Sequence, residues 1–318
     1  MNDQTPTTNA QVQLIDIGEE QAGQRIDNFL IRILKGAPKT LVYRILRKGE
    51  VRVNKGRIKP TYRLQSGDIV RVPPVRLSAS QNIPPGQKAL QRVQASIIHE
   101  DDVLLILNKP SGIAVHGGSG VNYGIIEALR VLRPDAPFLE LVHRLDRDTS
   151  GCLIIAKRRS ALRNLHDQMR AHRMDKRYLA LVKGQWNGGE RRIDAKLRKF
   201  TLKSGENVVK VSDDGKESLS LFRAVKVYTG ASLLTVKLIT GRTHQVRVHA
   251  ASLGMPLAGD EKYGDTGFNS AMEKLGLRRL FLHAEQLSFE HPKTAEHFTI
   301  SAPLNDDLQQ VLENLEAV

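Results

Sequence analysis

The sequence predicts an α+β protein in two parts: a small basic α/β module, then a larger domain built on a mixed, mainly antiparallel sheet with flanking helices and loops. Three observations predict it. Helical periodicities are short, apolar runs of strand length recur between turn residues, and positive charge is gathered into one block. At 318 residues the chain exceeds one typical domain and can bury a substantial core. Its net charge is +14; Gly23 to Arg76 hold 14 Lys plus Arg against 3 Asp plus Glu, so +11 falls in 54 residues and +3 in the other 264. Apolar patterning runs through this block, which makes it a folded module rather than a solvated tail.

Residues 1–22 read as an N-terminal tail and 23–76 as the module. Ile26, Phe29, Leu30, Ile33 and Leu34 fall on one helix face. A second helix runs from Thr40 as N-cap through Leu41, Ile45 and Leu46 to Gly49 as its stop, with Arg44, Arg47 and Lys48 on another face. Three cations on one face suit a phosphate backbone. Val51, Val53 and Ile69 to Val72 read as strands, with turns at Asn54 to Gly56 and Ser66 to Asp68. Proline, serine and glutamine dominate from Pro73 to Ala95, so residues 77–95 read as an extended linker.

The domain over 96–318 alternates strands and helices. Val103 to Leu107 and Cys152 to Ala156 are continuous apolar runs of buried strands; Lys176 to Val182, Val208 to Val211, Leu219 to Val227, Leu233 to Ile239 and Phe298 to Ser301 are further strands. Helices are predicted at Gly124 to Leu132, Ser160 to His172 with Ser160 as N-cap, Thr243 to Gly254 and Asn305 to Ala317.

Several classes are set aside. No stretch approaches the roughly 18 to 20 apolar residues of a membrane span, and Met1 to Gln11 lacks a signal-peptide core, so a cytoplasmic protein is expected. The single cysteine, Cys152, sits in an apolar strand and reads as packing. Histidines lack zinc-site spacing and no HExxH or CxxC occurs, so no metal is expected. No repeat is present, and nothing points beyond a monomer.

His143-Arg144-Leu145-Asp146-Arg147-Asp148-Thr149-Ser150-Gly151 puts a carboxylate between guanidiniums at the entrance to a buried strand. Loops on a rigid sheet carry chemistry, and neighbouring cations favour a charged aspartate usable as nucleophile or base. The plainer alternative is that Asp146 or Asp148 satisfies an arginine in a turn. Asn108 to Gly112 with Gly117 to Gly120 offers backbone for a phosphate cradle, without GxGxxG or P-loop spacing. Lys176-Arg177-Tyr178 puts a tyrosine beside two cations, either core or a stacking surface for a base. Gly241-Arg242-Thr243-His244-Gln245-Val246-Arg247 opens a helix after a buried strand, with Arg242 either on the surface or paired to a remote carboxylate.

Residues 23–72, with Gln24 to Leu30, Arg44 to Val51, Val53-Asn54 and Gly67-Asp68, resemble the small RNA-binding module named after the fourth protein of the ribosomal small subunit. That resemblance implies RNA contacts from Arg25, Arg44, Arg47, Lys48 and Arg52, with counter-ion release supplying most of the affinity; a basic protein- or DNA-binding helical pair is the alternative. Ser96 to Leu304 resembles the pseudouridine synthases of ribosomal and transfer RNA on Asn108 to Gly112, His143 to Asp146 with Thr149 to Gly151, Lys176 to Leu179, and Gly241 to Arg247. Val115 to Gly120 and Leu141 to Gly151 are similar to the branch acting on several uridines of 23S ribosomal RNA, free or in a large-subunit assembly intermediate.

The resemblance implies Asp146 as the catalytic carboxylate, Arg242 as its cationic partner, and Tyr178 as the tyrosine that stacks on the base and assists loss of the carbon-5 proton. It implies base flipping, with Arg144 filling the vacated place, Val246 in the apolar pocket wall, and His143 grouped with them as an RNA-contacting residue. Val246 stands where isoleucine or leucine is common, about one methylene smaller. No cofactor is implied, because uracil is only detached and rejoined. Two other classes stay open: a non-catalytic ribosome-assembly factor, and a metal-dependent nuclease using Asp146 and Asp148.

Overall fold

A computed structural model describes residues 11–34, 37, 39–75, 85–117, 123–202 and 206–316. The chain divides into two compact units, residues 1–82 and 83–318. In the first, strands β1 (Gln13–Asp16), β2 (Arg52–Val53) and β3 (Ile69–Val72) form an antiparallel sheet with β3 in the middle. Helices α1 (Ile26–Ile33) and α2 (Lys39–Arg47) bring Ile26, Phe29, Leu30, Val42, Ile45 and Leu46 into one core with Val53, Val70 and Val72. Each such side chain stabilises the module by about 1.5–3 kcal/mol through burial. Gly49 stops α2 in the left-handed region at φ 69°, its N–H donating to Leu46 O and that of Glu50 to Ile45 O.

Two expectations need correction in this unit. The tail is not wholly outside the module, because β1 pairs along β3 and Ile17 is buried beyond it. Thr40 does not cap α2, which already includes Lys39.

The second unit begins with α3 (Gln87–Ala95), β4 (Ile97–Glu100), β5 (Leu104–Lys109), α4 (Ile125–Leu132), β6 (Glu140–Leu141), β7 (Ser150–Ala156) and α5 (Arg159–Arg170). It continues through β8 (Asp175–Lys183), β9 (Arg191–Asp194), β10 (Leu197–Thr201), β11 (Asn207–Val211), β12 (Leu219–Tyr228), β13 (Ala231–Leu238) and α6 (Gln245–Ser252). Helix α7 (Thr266–Lys274), β14 (Leu282–Glu290), β15 (His297–Ser301) and α8 (Asp306–Glu313) complete it. The main sheet runs β4-β5-β7-β14-β8-β13-β12-β9, with β15 on β14 and β6 on β7, and β10-β11 form a separate hairpin. Only the β7–β14 pair is parallel among the described strands. The sheet is therefore mixed and mainly antiparallel.

Both faces of β5 and β7 are covered, which is why those strands read as unbroken apolar runs. Leu105, Leu107, Leu153 and Ile155 join α4 and α6, while Leu104, Ile106 and Ile154 meet Ala161 and Leu165 of α5. The Cys152 thiol is buried among them and burial pushes it up to about 12, so it packs and does not react.

Helix α3 corrects the expected linker: Val93 is fully buried against α4 and the sheet, so residues 87–95 belong to this unit. Ser160 lies inside α5, whose N-cap is Arg158. Strand β14, at the centre of the sheet, was not foreseen, because a bulge between His283 and Gln286 breaks its alternation.

Gly151 stands where β7 and β14 meet. Its φ is 109°, and a β-carbon there would lie 2.2 Å from Ala284 O and 2.6 Å from Ala284 N. The chains are held together beside it by Ser150 Oγ–His283 Nδ1 at 2.9 Å, with Arg279 donating to Ser150 Oγ at 3.0 Å. Gly151→Ala should lower the stability of the second unit by at least about 2 kcal/mol, combining strained backbone with overpacking. Urea unfolding followed by tryptophan fluorescence checks it, since Trp186 lies in the core of that unit.

Candidate active site

The loop from His143 to Thr149 is clamped from below by the Asn108 to Gly112 turn. Lys109 is fully buried, and its Nζ donates to Pro110 O at 2.8 Å, Ile113 O at 2.9 Å and Arg147 O at 3.0 Å. Gly112 N donates to the same Arg147 O, and Ser111 Oγ to Asp148 O at 2.7 Å. Burial pushes the Lys109 ammonium down to about 7, opposed by the charges of Asp148 and Asp146. Three carbonyl acceptors match the three N–H bonds of the charged form. The expected phosphate cradle at Asn108 to Gly112 is thereby corrected: Asn108 donates to Ser96 O and Pro303 O, while Lys109 Nζ, Ser111 Oγ and Gly112 N tie this turn to the loop carrying Asp146. Residues 118–120 of the second half of that cradle lie outside the described residues.

Asp146 lines a cavity of about 560 Å³, its side chain 30% exposed. Tyr178, Leu238, Val246 and Leu282 form apolar wall, and Lys176, Lys199, Arg144 and Arg242 supply cations. Arg144 is exposed and Val246 buried, and both line the cavity. Tyr178 is 8% exposed; burial, helped by the negative charge of Asp146, raises its hydroxyl above the ordinary range. The phenol is protonated at neutral pH and offers a ring and a donor rather than a ready base.

His143 borders the cavity and is held there by the backbone. Its Nε2 accepts from Ile154 N at 3.2 Å, which ties the loop to β7, and burial with nearby Lys176 pushes the imidazole down to about 4. It is neutral and spent on the backbone, although it still borders the cavity.

Arg242 does not pair with Asp146. It precedes α6 on an exposed bend, where its Nε donates to Glu217 O at 3.0 Å and its backbone N to Gln245 Oε1 at 2.9 Å. The group facing the carboxylate is His244, whose Nε2 is 3.9 Å from Asp146 Oδ2. The buried guanidinium near the site is Arg247 on α6, which donates twice to Asp260, at 2.7 and 2.6 Å. Burial works against its charge, but Asp260, with a further contribution from Asp146, raises it overall. Sequence spacing missed His244, Arg247 and Lys109 although all three lie in quoted motifs, because long-range partners decide which cation turns inward.

Asp148 pairs with Arg147 at 3.1 Å on the surface and is not part of the cavity wall. A nuclease pairing of Asp146 with Asp148 therefore has no geometric support.

In the first unit Arg44, Arg47 and Lys48 are exposed. Arg25, its side chain 39% exposed, makes a two-point pair with buried Asp27, which also accepts from Tyr43 Oη at 2.9 Å. Arg52 donates to Lys55 O at 3.2 Å.

Asp260 is 1% exposed; burial opposes its charge, but Arg247 and the amides of Tyr263 and Lys262 hold the carboxyl below its usual 3.8. A depressed folded-state value means that its contribution is present above the unfolded value and lost as pH falls through the folded one. Asp260→Asn should cost about 3–5 kcal/mol at pH 7 by stranding the Arg247 charge. The difference from wild type should shrink as unfolding is measured at successively lower pH below 3.8.

The RNA pseudouridylate synthase model matches residues 103–252, and the S4 domain model matches 24–70. The chain is 57% identical over 310 residues to Ribosomal large subunit pseudouridine synthase C of Haemophilus influenzae, covering 96% of each chain. It is 51% identical over 319 residues to the protein of that name from Escherichia coli K12, covering 99% of each. Among solved structures, Human RNA Pseudouridylate Synthase Domain Containing 4 shares the fold, with TM-score 0.59 and 24% identity over 71% of this chain and 96% of that one. With identity above half along nearly the whole length, the chain belongs to the RNA pseudouridylate synthase family.

Proposed function

We propose that the protein isomerises uridines of 23S ribosomal RNA to pseudouridine, as a large-subunit synthase of the C type. The D type shares the domain order. The C-type reading rests on the names of the relatives above and, within the sequence, on the glycine-rich turn after His116, of which residues 118–120 lie outside the described residues. RNA of the large subunit, free or in an assembly intermediate, is the partner, and the protein acts as a monomer.

The observation that carries the chemistry is Asp146, presented on a clamped loop inside a cavity walled by Tyr178 and Val246. A volume of about 560 Å³ lies in the range of roughly 300–1,000 Å³ of small-molecule pockets, which suits one extruded nucleotide and not a stacked helix. The target uridine is therefore flipped out, at a cost of a few kcal/mol. Arg144, exposed at the rim, fills the place it leaves.

The reaction breaks the bond from C1′ of ribose to N1 of uracil, turns the base, and forms a bond from C1′ to C5. The C5 proton is lost and N1 gains one, so composition is unchanged and no electron acceptor is needed. The Asp146 carboxylate can capture or stabilise the electron-poor sugar between these steps. The protonated Tyr178 stacks its ring on the base, and Val246 closes the apolar side.

Release of tritium from uridine labelled at carbon 5 tests this reading with unmodified 23S RNA. Wild type should release it in the presence of chelator, and Asp146→Asn should not. Tight RNA binding without release from either would favour the assembly factor.

The first unit is proposed to anchor the RNA. Replacing Arg44, Arg47 and Lys48 together should raise the RNA concentration needed and lower the slope of log affinity against log salt by up to about three. Turnover at saturating RNA should stay near wild type; a loss as large as that of Asp146→Asn would overturn this division of labour.

A further inference from the structure

We propose that His244 is a positioning residue for Asp146, oriented by the Tyr263 hydroxyl so that its Nε2–H faces the carboxylate. Tyr263 thereby links that orientation to the β10–β11 hairpin. The inference rests on the synthase reading above and adds to it a residue outside the expected set of Asp146, Arg242 and Tyr178.

The argument starts at the Tyr263 oxygen. It accepts the Val209 backbone N–H of β11 at 2.9 Å and lies 2.7 Å from His244 Nδ1. An amide N–H can only donate, so it takes one lone pair of the hydroxyl and leaves the phenolic proton to be placed. Among the described residues, Nδ1 of His244 is the acceptor within reach of that proton. A neutral imidazole that accepts at Nδ1 carries its own proton on Nε2, the atom 3.9 Å from Asp146 Oδ2. That distance exceeds a hydrogen bond, and contacts of this kind tighten in the substrate complex.

The main chain that carries the imidazole is itself restrained. His244 is the N-cap of α6 at φ 55° and ψ 19°, left-handed values that are uncommon outside glycine. Such a residue persists where its surroundings over-determine it. Here Gln245 supplies the restraint: its Oε1 accepts from Thr240 Oγ1 and Arg242 N, and its Nε2 donates to Leu219 O and Ser220 Oγ. The bend before α6 is thus pinned to β12.

The charges facing the imidazole are Asp146, Arg247, Lys262 and Asp260. Burial keeps the ring below its ordinary value, Asp146 opposing, which favours the neutral form with a single N–H to place. A neutral donor can aim one carboxylate oxygen without cancelling the charge that must face the sugar. A guanidinium at the same position would neutralise more of it. The hairpin matters because Lys199 of β10 lines the cavity, while Leu197 and Val209 pack on Val248 of α6. RNA that presses on this hairpin acts, through Val209 N and Tyr263, on the orientation of His244.

The test uses the full chain, with histidine labelled by nitrogen-15 for NMR, and single-turnover tritium release at saturating 23S RNA with RNA affinity measured in parallel. His244 should be in the Nε2–H tautomer in wild type and in a mixture of tautomers in Tyr263→Phe. His244→Leu should slow single turnover about 10- to 100-fold, and Tyr263→Phe about two- to tenfold, with RNA affinity unchanged within about twofold. His244→Gln, which keeps an amide donor near Nε2, should recover most of the rate. Tyr263→Phe leaves the left-handed backbone untouched and decides the matter if the leucine variant does not fold.

An Nδ1–H tautomer in wild type, full rate in His244→Leu or Tyr263→Phe, or a loss confined to RNA affinity would overturn the proposal. No release by wild type despite the Nε2–H tautomer would overturn the synthase reading, not the orientation.

Discussion

Lys109 carries an ammonium into a site where no carboxylate lies within ion-pair distance among the described residues, and the carbonyls of Pro110, Ile113 and Arg147 answer it instead. A buried charge is costly unless its hydrogen-bonding capacity is met. Three carbonyls meet it only if two separate loops hold their places. The Asn108 to Gly112 turn and the His143 to Thr149 loop therefore stand or fall together, and the position of Asp146 follows from that clamp. Gly151 completes it by letting β7 lie against β14 more closely than any side chain would permit.

Around the carboxylate the protein separates charge by distance and form. Strong cations are held back: Arg247 is bound to Asp260, and Arg242 rests on a backbone carbonyl at the rim. The groups close by are a tyrosine that keeps its proton and an imidazole whose burial favours neutrality. Apolar walls lower the local dielectric, so the Asp146 charge acts more strongly inside the cavity than it would in water. Exposed cations lie on the face of α2, at Arg44, Arg47 and Lys48, and along the cavity, at Arg144 and Arg242.

Elements whose pattern follows one physical rule were legible from the residues. The face from Ile26 to Leu34 is helical because one stripe meets a core, and Val103 to Leu107 and Cys152 to Ala156 are strands because both faces are covered. Strand β14 was not legible: its bulge puts His283, Glu285 and Gln286 where alternation asks for apolar residues. Helix α3 was obscured because only Val93 is fully buried along it, too little for a periodic signal.

The site divides along the same line. By itself the sequence determined which short motifs matter, that an aspartate sits between arginines at the mouth of a buried strand, and that the basic block comes first; these are local facts of residue type and spacing. Only the tertiary structure decided that Lys109 turns inward, that His143 is spent on Ile154 N, and that His244 rather than Arg242 faces Asp146. Each depends on a partner far along the chain, and a side chain's direction is set by where such partners converge, which spacing does not encode.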